Sequence, residues 1–447
     1  MKYRSQKIAY WYFVVALLLY GLQMVFGLLS AAKYLGPDVL RSVLAFDKTK
    51  AMHTNLLIVW VLTGFMGATY YLVPEESRRE IYSETIAIGQ LVAFAGLGTI
   101  ALIGYAFGWT AGNKFLEQPF IIKLGIAGVM VTFLYNVGRT ILEADRYTST
   151  EMVLLIGLTC TAVLYLPSLV PYENYTVTIF YRWWTVHLWV EGVWEMIQAS
   201  LLAFLLIRLS GADREVMEKW LYVIVGLTFM TGILGTAHHY YWVGTPDYWL
   251  PIGGVFSALE PFAFLAMAVY AYYATRRSGF AHPNRLAMHW TIGSAVFSAI
   301  GAGVLGLAHT WPSVNRWTHG THITSMHGHM AFFGAYVMIT MAIMSYAFPY
   351  FRGHDPGEDD TIGLWGFWLQ VAGMFGMTMA FAAAGLAQVY LERIIGMGYL
   401  DAQQKIQVHF QMLLATGGLF TIGVGLTIWD FFFRGATPDT DELAADG

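Results

Sequence analysis

The chain has 447 residues, of which 57% are hydrophobic and 12% are charged, and its formal net charge at pH 7 is −4. An ordinary soluble domain has about 25% charged residues, so this composition indicates an integral membrane protein. The slightly acidic balance and the lack of a basic run exclude a typical nucleic-acid-binding protein.

Hydrophobic segments long enough to cross a bilayer recur along the whole chain. A spanning helix needs about 20 apolar residues. The sequence predicts twelve such spans: 11–33, 52–73, 84–108, 120–137, 150–167, 181–206, 216–240, 252–275, 288–308, 323–348, 362–390 and 406–432. The first apolar run is too long for a cleaved signal peptide. We therefore expect an all-α integral membrane protein with one domain over 1–447, ending in a short acidic tail at 435–447.

The distribution of Lys and Arg predicts how these spans are oriented. With the N-terminus in the cytoplasm, more of these residues fall in cytoplasmic segments than in external ones, as is usual for membrane proteins. We therefore expect both termini in the cytoplasm. In that topology the intramembrane histidines all lie at one depth, in the outer half of the membrane: His53, His187, His238, His239, His327 and His329.

The segment 187–195 is a candidate metal site. In an α-helix His187, Glu191 and Glu195 would project from one face, because they are spaced four residues apart. Ionisable groups inside a membrane are costly and mark a functional site by default. His238 and His239, at a helix end, can both turn toward an ion shared with His187. The sequence therefore predicts a site of three histidines and Glu191 for a first-row metal, and the carboxylate favours iron.

The motif His327-Gly-His329 predicts two further centres. Residues two apart differ by about 200° around a helix, so these imidazoles face opposite sides and cannot share one metal. His53, at the same depth, is a candidate second axial ligand for one of them. Two trans histidines suit a low-spin, electron-transferring haem, whereas a haem with one histidine keeps an open face.

These residues occur in motifs that resemble a known family. The chain is similar to the haem–copper oxidase superfamily, with its subunit I-like bundle, and within it to the catalytic large subunits of bacterial nitric oxide reductases of the cytochrome c-dependent type. The motifs that carry the resemblance are Met-His-Thr-Asn-Leu-Leu at 52–57, Tyr-Tyr-Leu-Val-Pro-Glu-Glu at 70–76, Phe-Leu-Glu-Gln-Pro at 115–119, His-Leu-Trp-Val-Glu-Gly-Val-Trp-Glu at 187–195, Gly-Thr-Ala-His-His-Tyr at 235–240, Phe-Ser-Ala-Leu-Glu-Pro at 256–261 and His-Gly-His-Met-Ala-Phe at 327–332.

The resemblance implies cofactors and a role for each ligand. It implies a set of haem ligands, with His53 and His329 on a low-spin haem b and His327 on a high-spin haem b3. It implies a non-haem iron held by His187, His238, His239 and Glu191. The expected location is a bacterial inner membrane.

The resemblance also implies a respiratory reaction. Two NO molecules, two electrons and two protons would give N₂O and water, as in denitrification. Glu191, Glu195 and Glu260 would be the acidic residues of the catalytic site, and Glu195 and Glu260 match those that tune the iron site and deliver protons. Burial and a neighbouring like charge would suit either residue to proton transfer.

One departure from the family concerns a calcium ion between the haem propionates. The segment before Phe-Leu-Glu-Gln-Pro usually carries an Arg-Glu pair whose Glu helps to bind calcium, but here the pair is Asn113-Lys114 and Glu117 is the remaining acid. A lysine ammonium can neutralise propionates as a compact cation. We therefore predict that Lys114 contacts the propionates and that bound calcium is weakened or absent.

Electrons are expected to arrive from a partner. Cys160 is the only cysteine, so the chain has no Cys-x-x-Cys-His haem attachment and no thiolate copper or iron–sulfur centre. We expect a membrane-anchored cytochrome c subunit to dock on the outer face near His53. A donor subunit containing copper is the alternative.

Three other functions remain open at this point. An oxygen reductase on the same scaffold would have a tyrosine in place of Glu191, and a quinol-dependent reductase would have an N-terminal extension before the first span. A secondary transporter with a metal or proton site in the membrane would not need His327 and His329 directed at two centres. We expect the NO reductase, since Glu191 is a glutamate and about ten residues precede the first span.

Overall fold

The structure is a computed structural model that describes residues 1–36, 44–257, 259–280, 282–357 and 359–434, with the backbone but not the side chain of Glu260. The described residues form helices joined by short connections, without a strand. The predicted acidic tail at 435–447 lies outside the described residues.

Eleven of these helices are long and apolar enough to cross a membrane. They are α1 (Arg4–Ala32), α2 (Phe46–Ser77), α3 (Glu84–Ala106), α4 (Phe120–Leu142), α5 (Ser149–Leu169), α6 (Tyr175–Ser210), α7 (Arg214–His239), α9 (Arg285–Thr310), α10 (His322–Arg352), α11 (Thr361–Ile394) and α12 (Gln407–Phe433). The predicted eighth span, 252–275, is divided between the short helix Trp249–Val255 and α8 (Glu260–Ser278), and α8 is not among the eleven. Its 19 residues include three tyrosines, and Arg276 and Arg277 lie in its last turn. Shorter helices in the connections are Trp249–Val255, Pro312–Thr318 and Tyr399–Lys405.

Several helices begin earlier in the sequence than the apolar segments from which we predicted them, because a polar residue caps the first turn. Thr148 and Glu151 form a reciprocal capping box at the start of α5, and each side chain accepts a hydrogen bond from the backbone N–H of the other. Asp213 caps α7 by accepting from the N–H of Val216. These caps satisfy N–H groups that have no partner within the helix.

The centre of the bundle is formed by three helices. The most apolar windows of α2, α6 and α10 are 78%, 83% and 83% buried, whereas those of α1, α3, α4, α5 and α12 are 28–33% buried. The central helices carry His53, the segment 187–195 and the His327-Gly-His329 motif. Most of the candidate ligands therefore lie on the helices that are best shielded from lipid, while His238 and His239 lie at the end of α7, whose window is 44% buried.

The two ends of the bundle differ in their polar groups. One end, here called the ion-pair end, is closed by salt bridges from α2 to α6 and α7: Glu75 pairs with Arg208 and Glu76 with Arg214, both at 2.7 Å. The other end, here called the histidine end, comprises the first turns of α2 and α6, the end of α7 and the connection at 107–119. The ligand histidines lie toward that end.

Five of the long helices contain a wide, π-helical turn. These turns are Trp189–Val193 in α6, Thr228–Gly232 in α7, Ala299–Leu305 in α9, Phe333–Val337 in α10 and Val389–Ile394 in α11. Such turns are rare and occur mainly at functional sites. Glycines let neighbouring backbones approach each other at these turns: a Cβ on Gly232 would lie 2.9 Å from the carbonyl oxygen of Glu191, and one on Gly301 would lie 2.5 Å from the carbonyl carbon of Met330.

Candidate metal centre

Four side chains from α6 and α7 form a compact ring of ligand atoms. His187, Glu191, His238 and His239 each offer one nitrogen or oxygen, and these atoms all lie within 4.8 Å of one another. The Nε2 atoms of His238 and His239 are 3.1 Å apart, and Glu191 Oε2 lies 3.6 Å from Nδ1 of His187 and 3.8 Å from Nε2 of His238. Metal–ligand bonds of about 2.0–2.2 Å would bring such atoms around one ion, so this donor set fits a first-row metal.

Hydrogen bonds to the outer nitrogens orient these imidazoles. His187 Nε2 donates to the carbonyl oxygen of Gly232 at 2.9 Å, which leaves Nδ1 facing the ring, buried and without a hydrogen-bond partner among the described residues. His238 Nδ1 lies 2.9 Å from Ser257 Oγ, so its Nε2 faces the ring. Metal-bound histidines are usually held this way. An unpaired buried nitrogen is costly, and a bound ion would satisfy it.

The π-helical turn of α6 changes the spacing that the sequence assumed. Glu191 lies within this turn with φ −117° and ψ 34°, outside the helical region, so the three residues do not share one face of a regular helix. Glu191 still joins His187 in the ring. Glu195 is 3% exposed and is not among the four ligands. Glu260 begins α8, but its side chain lies outside the described part of the structure.

A second pair of histidines faces each other across a gap of metal size. The rings of His53 and His329 are 21° from parallel, with centroids 6.3 Å apart. His53 Nδ1 lies 3.1 Å from the carbonyl oxygen of Gln23, and His329 Nδ1 lies 2.8 Å from that of Ser325. The Nε2 atom of each ring is therefore free to bind a metal. Two metal–nitrogen bonds of about 2 Å would account for most of the 6.3 Å between the ring centroids.

His327 has different neighbours from His329, although one residue separates them. Its Nδ1 lies 3.0 Å from the carbonyl oxygen of Gly301, in the π-helical turn of α9. Its ring is near His309, with centroids 6.1 Å apart. The two rings of the motif therefore have separate surroundings, as a helical spacing of two residues predicts.

Several residues of the site were not identified from the sequence as parts of it. Trp183 stacks on His239 with centroids 4.1 Å apart and planes 4° from parallel. Tyr336 donates a hydrogen bond to the carbonyl oxygen of Val190 in the π-helical turn of α6. The one-turn spacing from Trp183 to His187 was an available signal. No sequence signal identified the carbonyl oxygens of Gly232 and Gly301, which accept hydrogen bonds from His187 and His327. Both glycines lie in π-helical turns, which the sequence does not reveal.

The connection at 107–119 brings positive charge to the histidine end. Lys114 is exposed, but neighbouring protein atoms partly desolvate its ammonium group. This desolvation, with repulsion from Lys50 and Arg182, lowers the pKa of Lys114 to about 8. The neighbouring acid is Glu117, which is 9% exposed and accepts a hydrogen bond from Asn55 Nδ2 at 2.9 Å. Cationic side chains thus outnumber carboxylates in this group.

Comparison with known proteins agrees with this fold and donor set. The chain belongs to the cytochrome c and quinol oxidase polypeptide I family, whose model matches residues 7–421. A relative from Stutzerimonas stutzeri, which is named as a nitric oxide reductase subunit, is 43% identical over 459 residues, covering 98% of this chain and 97% of that protein. The family resemblance found in the motifs is confirmed. Membership implies haems and a metal centre, which the histidine groups fit.

A solved structure shows the same fold at greater distance. In the cryo-EM structure of a haem–copper terminal oxidase dimer, the matching chain gives a TM-score of 0.76 over 96% of this chain and 84% of that chain. The sequences are 14% identical. This similarity therefore concerns the fold alone.

Proposed function

We propose that this protein is the catalytic subunit of a nitric oxide reductase, which converts two NO, two electrons and two protons into N₂O and water. The observation that carries the proposal is the position of Glu191 in one ligand ring with His187, His238 and His239. A carboxylate ligand in such a ring favours iron over copper, and it lowers the reduction potential of the bound iron. The 43% identity to a protein named as a nitric oxide reductase subunit supports the same activity.

We assign a cofactor to each histidine group. The ring of His187, His238, His239 and Glu191 would hold a non-haem iron. His53 and His329 would hold low-spin haem b, and His327 would hold high-spin haem b3. When bound, the non-haem iron and the haem b3 iron would supply Lewis-acid sites for NO and stabilise negative charge on it. The carbonyls of Gly232 and Gly301 fix the orientation of His187 and His327.

The proposed topology has twelve spans in a bacterial inner membrane, with α8 as the eighth. Arg79, Arg139, Arg146, Arg208 and Arg214 lie toward the ion-pair end. Positive residues concentrate on the cytoplasmic side, so this end would face the cytoplasm together with both termini. The histidine end would then face outward, and the metal centres would lie in the outer half of the membrane.

Protons would reach the site through buried carboxyl groups. Glu195 is 3% exposed on α6, one turn beyond Glu191, and a buried carboxyl in a membrane span is functional by default. We assign the same role to Glu260 from the family resemblance. Replacement Glu260→Ala should lower turnover and alter its pH profile, and full turnover with an unchanged profile would contradict the assignment.

We further propose that Lys114 contacts the haem propionates in place of calcium. The repulsion between Lys114 and Lys50 supports this assignment, because carboxylates brought beside these two cations would relieve it. Glu117 is already hydrogen-bonded to Asn55. The calcium site is therefore expected to be weak or absent.

Electrons would come from a partner subunit at the outer face near His53. A membrane-anchored cytochrome c subunit is our first choice, and a copper-containing subunit is the alternative. Within the family, oxygen reduction is the competing activity. Glu191 argues against it, because we expect a tyrosine at that position in an oxygen reductase.

The test is purification with the native partner, followed by measurement of iron, copper and haem type and of NO and O₂ consumption. We expect b-type haem, non-haem iron and NO consumption well above O₂ consumption. Replacement Glu191→Gln should lower iron content and NO turnover together. The matched control Glu215→Gln changes an exposed glutamate paired with Lys219 at the ion-pair end and should change neither. Copper in place of iron, with O₂ as the preferred substrate, would refute the proposal.

A further inference from the structure

A cavity of about 390 Å³ lies at the histidine end, apart from the histidine groups. Its walls are the connection at 107–119, the first turn of α4, the last turn of α5 with the segment after it, and the first two turns of α6. Lys123 and Arg182 line it with Ser168, Tyr172 and Tyr181. None of its lining residues is a candidate metal ligand or a carboxylate. The cavity is thus a separate space with positively charged walls.

The cations of this cavity lack an acidic partner within it. Lys123 is 5% exposed, and its ammonium donates to the carbonyl oxygen of Ser168 at 3.3 Å. Glu117 is the acid whose charge acts on both Lys123 and Arg182. However, Glu117 does not line the cavity and accepts a hydrogen bond from Asn55. Two cations therefore face one space without a compensating charge from its walls.

Two buried donors of the same walls are also unpaired. Arg182 Nε and Ser168 Oγ are both buried and have no hydrogen-bond partner among the described residues. Buried polar groups in native proteins nearly always have partners. A phosphate oxygen would accept from a guanidinium and an ammonium as charge-assisted hydrogen bonds. The unpaired donors and the unbalanced charge thus indicate the same chemistry, a phosphate-bearing anion.

The surroundings of the cavity favour a phospholipid as the source of that phosphate. Exposed apolar side chains flank it on the lipid-facing sides of α4 and α5, with Phe120 56%, Ile121 61% and Leu166 54% exposed. Tyr172 and Tyr181 stack at 4.6 Å, as amphipathic aromatics do at the headgroup level. Basic pockets between membrane helices on the cytoplasmic side bind anionic headgroups, and Lys123 and Arg182 offer the same charge-assisted hydrogen bonds to phosphate at the histidine end.

The geometry points to a site for an anionic phospholipid, with the headgroup phosphate between Lys123 and Arg182 and the acyl chains along α4 and α5. This inference does not depend on the reaction that the protein catalyses. It concerns a second site, whose occupant would tie the connection at 107–119 to the bilayer. Lys114 lies in that connection, so lipid composition would bear on the segment next to the proposed propionates.

The test is lipid retention, measured by native mass spectrometry on protein taken from nanodiscs that contain phosphatidylglycerol and phosphatidylcholine. Wild type should retain one phosphatidylglycerol in preference to phosphatidylcholine. Arg182→Gln and Lys123→Gln should weaken its binding by about tenfold, the scale of one strong polar contact, while Arg182→Lys should keep most of it. Arg316→Gln, which changes an exposed arginine in a connection of the same end, should behave as wild type.

A second measurement distinguishes the sources of phosphate and guards against misfolding. Delipidated wild type is titrated with inorganic phosphate and with short-chain phosphatidylglycerol, and helical content is checked for every variant. Tighter binding of the lipid, lost in Lys123→Gln, supports the headgroup site. Equal binding of inorganic phosphate, lost in the same variant, supports an anion site whose ligand is free phosphate. Equal retention of both lipids, or unchanged retention in folded Lys123→Gln and Arg182→Gln, would overturn the proposal.

Discussion

The two ends of the bundle handle buried charge in opposite ways. At the ion-pair end, Glu75 and Glu76 pair with Arg208 and Arg214 within the chain. At the histidine end, Lys123 and Arg182 line a cavity whose lining includes no carboxylate, and His187 Nδ1 is buried without a hydrogen-bond partner among the described residues. A paired end contributes to holding the helices together, whereas an unpaired end depends on groups from outside the chain. The contrast separates the part that stabilises the bundle from the part that binds ligands.

The largest expected effect comes from removing a ligand at the histidine end. His53→Ala would leave His329 without the facing imidazole, so low-spin haem should be lost. Turnover should fall by more than about a hundredfold, the upper range for changes around a metal ligand. A reduced-minus-oxidised optical spectrum with a haem-to-protein ratio would measure this. An unchanged haem content would show that the facing pair does not hold haem.

A smaller effect is expected when the orienting carbonyl is moved and the ligand is kept. In Gly301→Ala the new Cβ would lie 2.5 Å from the carbonyl carbon of Met330, so the π-helical turn of α9 must shift. His327 would lose its hydrogen bond to this turn, and turnover should fall by about 10–100-fold. The spectrum of high-spin haem should change while that of low-spin haem is retained. Gly226→Ala, where a Cβ meets nothing within 4 Å, is the matched control.

At the ion-pair end a substitution should affect stability and leave turnover intact. Arg214→Gln would leave Glu76, which is 1% exposed, without its bidentate partner. The cost should be about 1–3 kcal/mol, toward the lower value because Arg214 is 35% exposed and solvent screens the pair. Thermal unfolding in detergent would measure it. Glu76→Gln combined with Arg214→Gln should recover part of the loss, and lower turnover in the folded variant would show that the two ends are coupled.

The smallest effect is expected from calcium. Wild type should contain no stoichiometric calcium, and a chelator should leave its spectrum unchanged, because Lys114 is a cation with neighbouring cations Lys50 and Arg182. Lys114→Glu restores an acid there and should create calcium binding, detectable by metal analysis and by chelator-induced spectral shifts. Lys114→Gln is the uncharged control. One tightly held calcium per wild-type chain would refute the assignment of Lys114.

Much of the arrangement follows from sequence alone, and the rest depends on backbone detail. The positions of eleven spans and the grouping of His187, Glu191, His238 and His239 were predicted, because hydropathy and the cost of buried polar groups are strong signals. The predicted regular helix over 187–195 was wrong, because the structure has a π-helical turn at Trp189–Val193. Such a turn could not be predicted, since it leaves no recognisable pattern in an apolar sequence. The cavity at Lys123 was also not predicted, because its walls come from segments that are distant in sequence. Hydrophobic periodicity does not indicate which of these segments lie next to each other.

The π-helical turn of α6 makes the chemistry of the site sensitive to chain length. An i→i+5 turn contains one residue more than a regular turn, and one residue rotates all that follows by about 100°. Deletion of a single residue between Trp189 and Val193 would therefore turn Glu195 and the rest of α6 relative to His187. A frame-preserving loss of one codon, with every ligand still encoded, should change which carboxylate meets the metal.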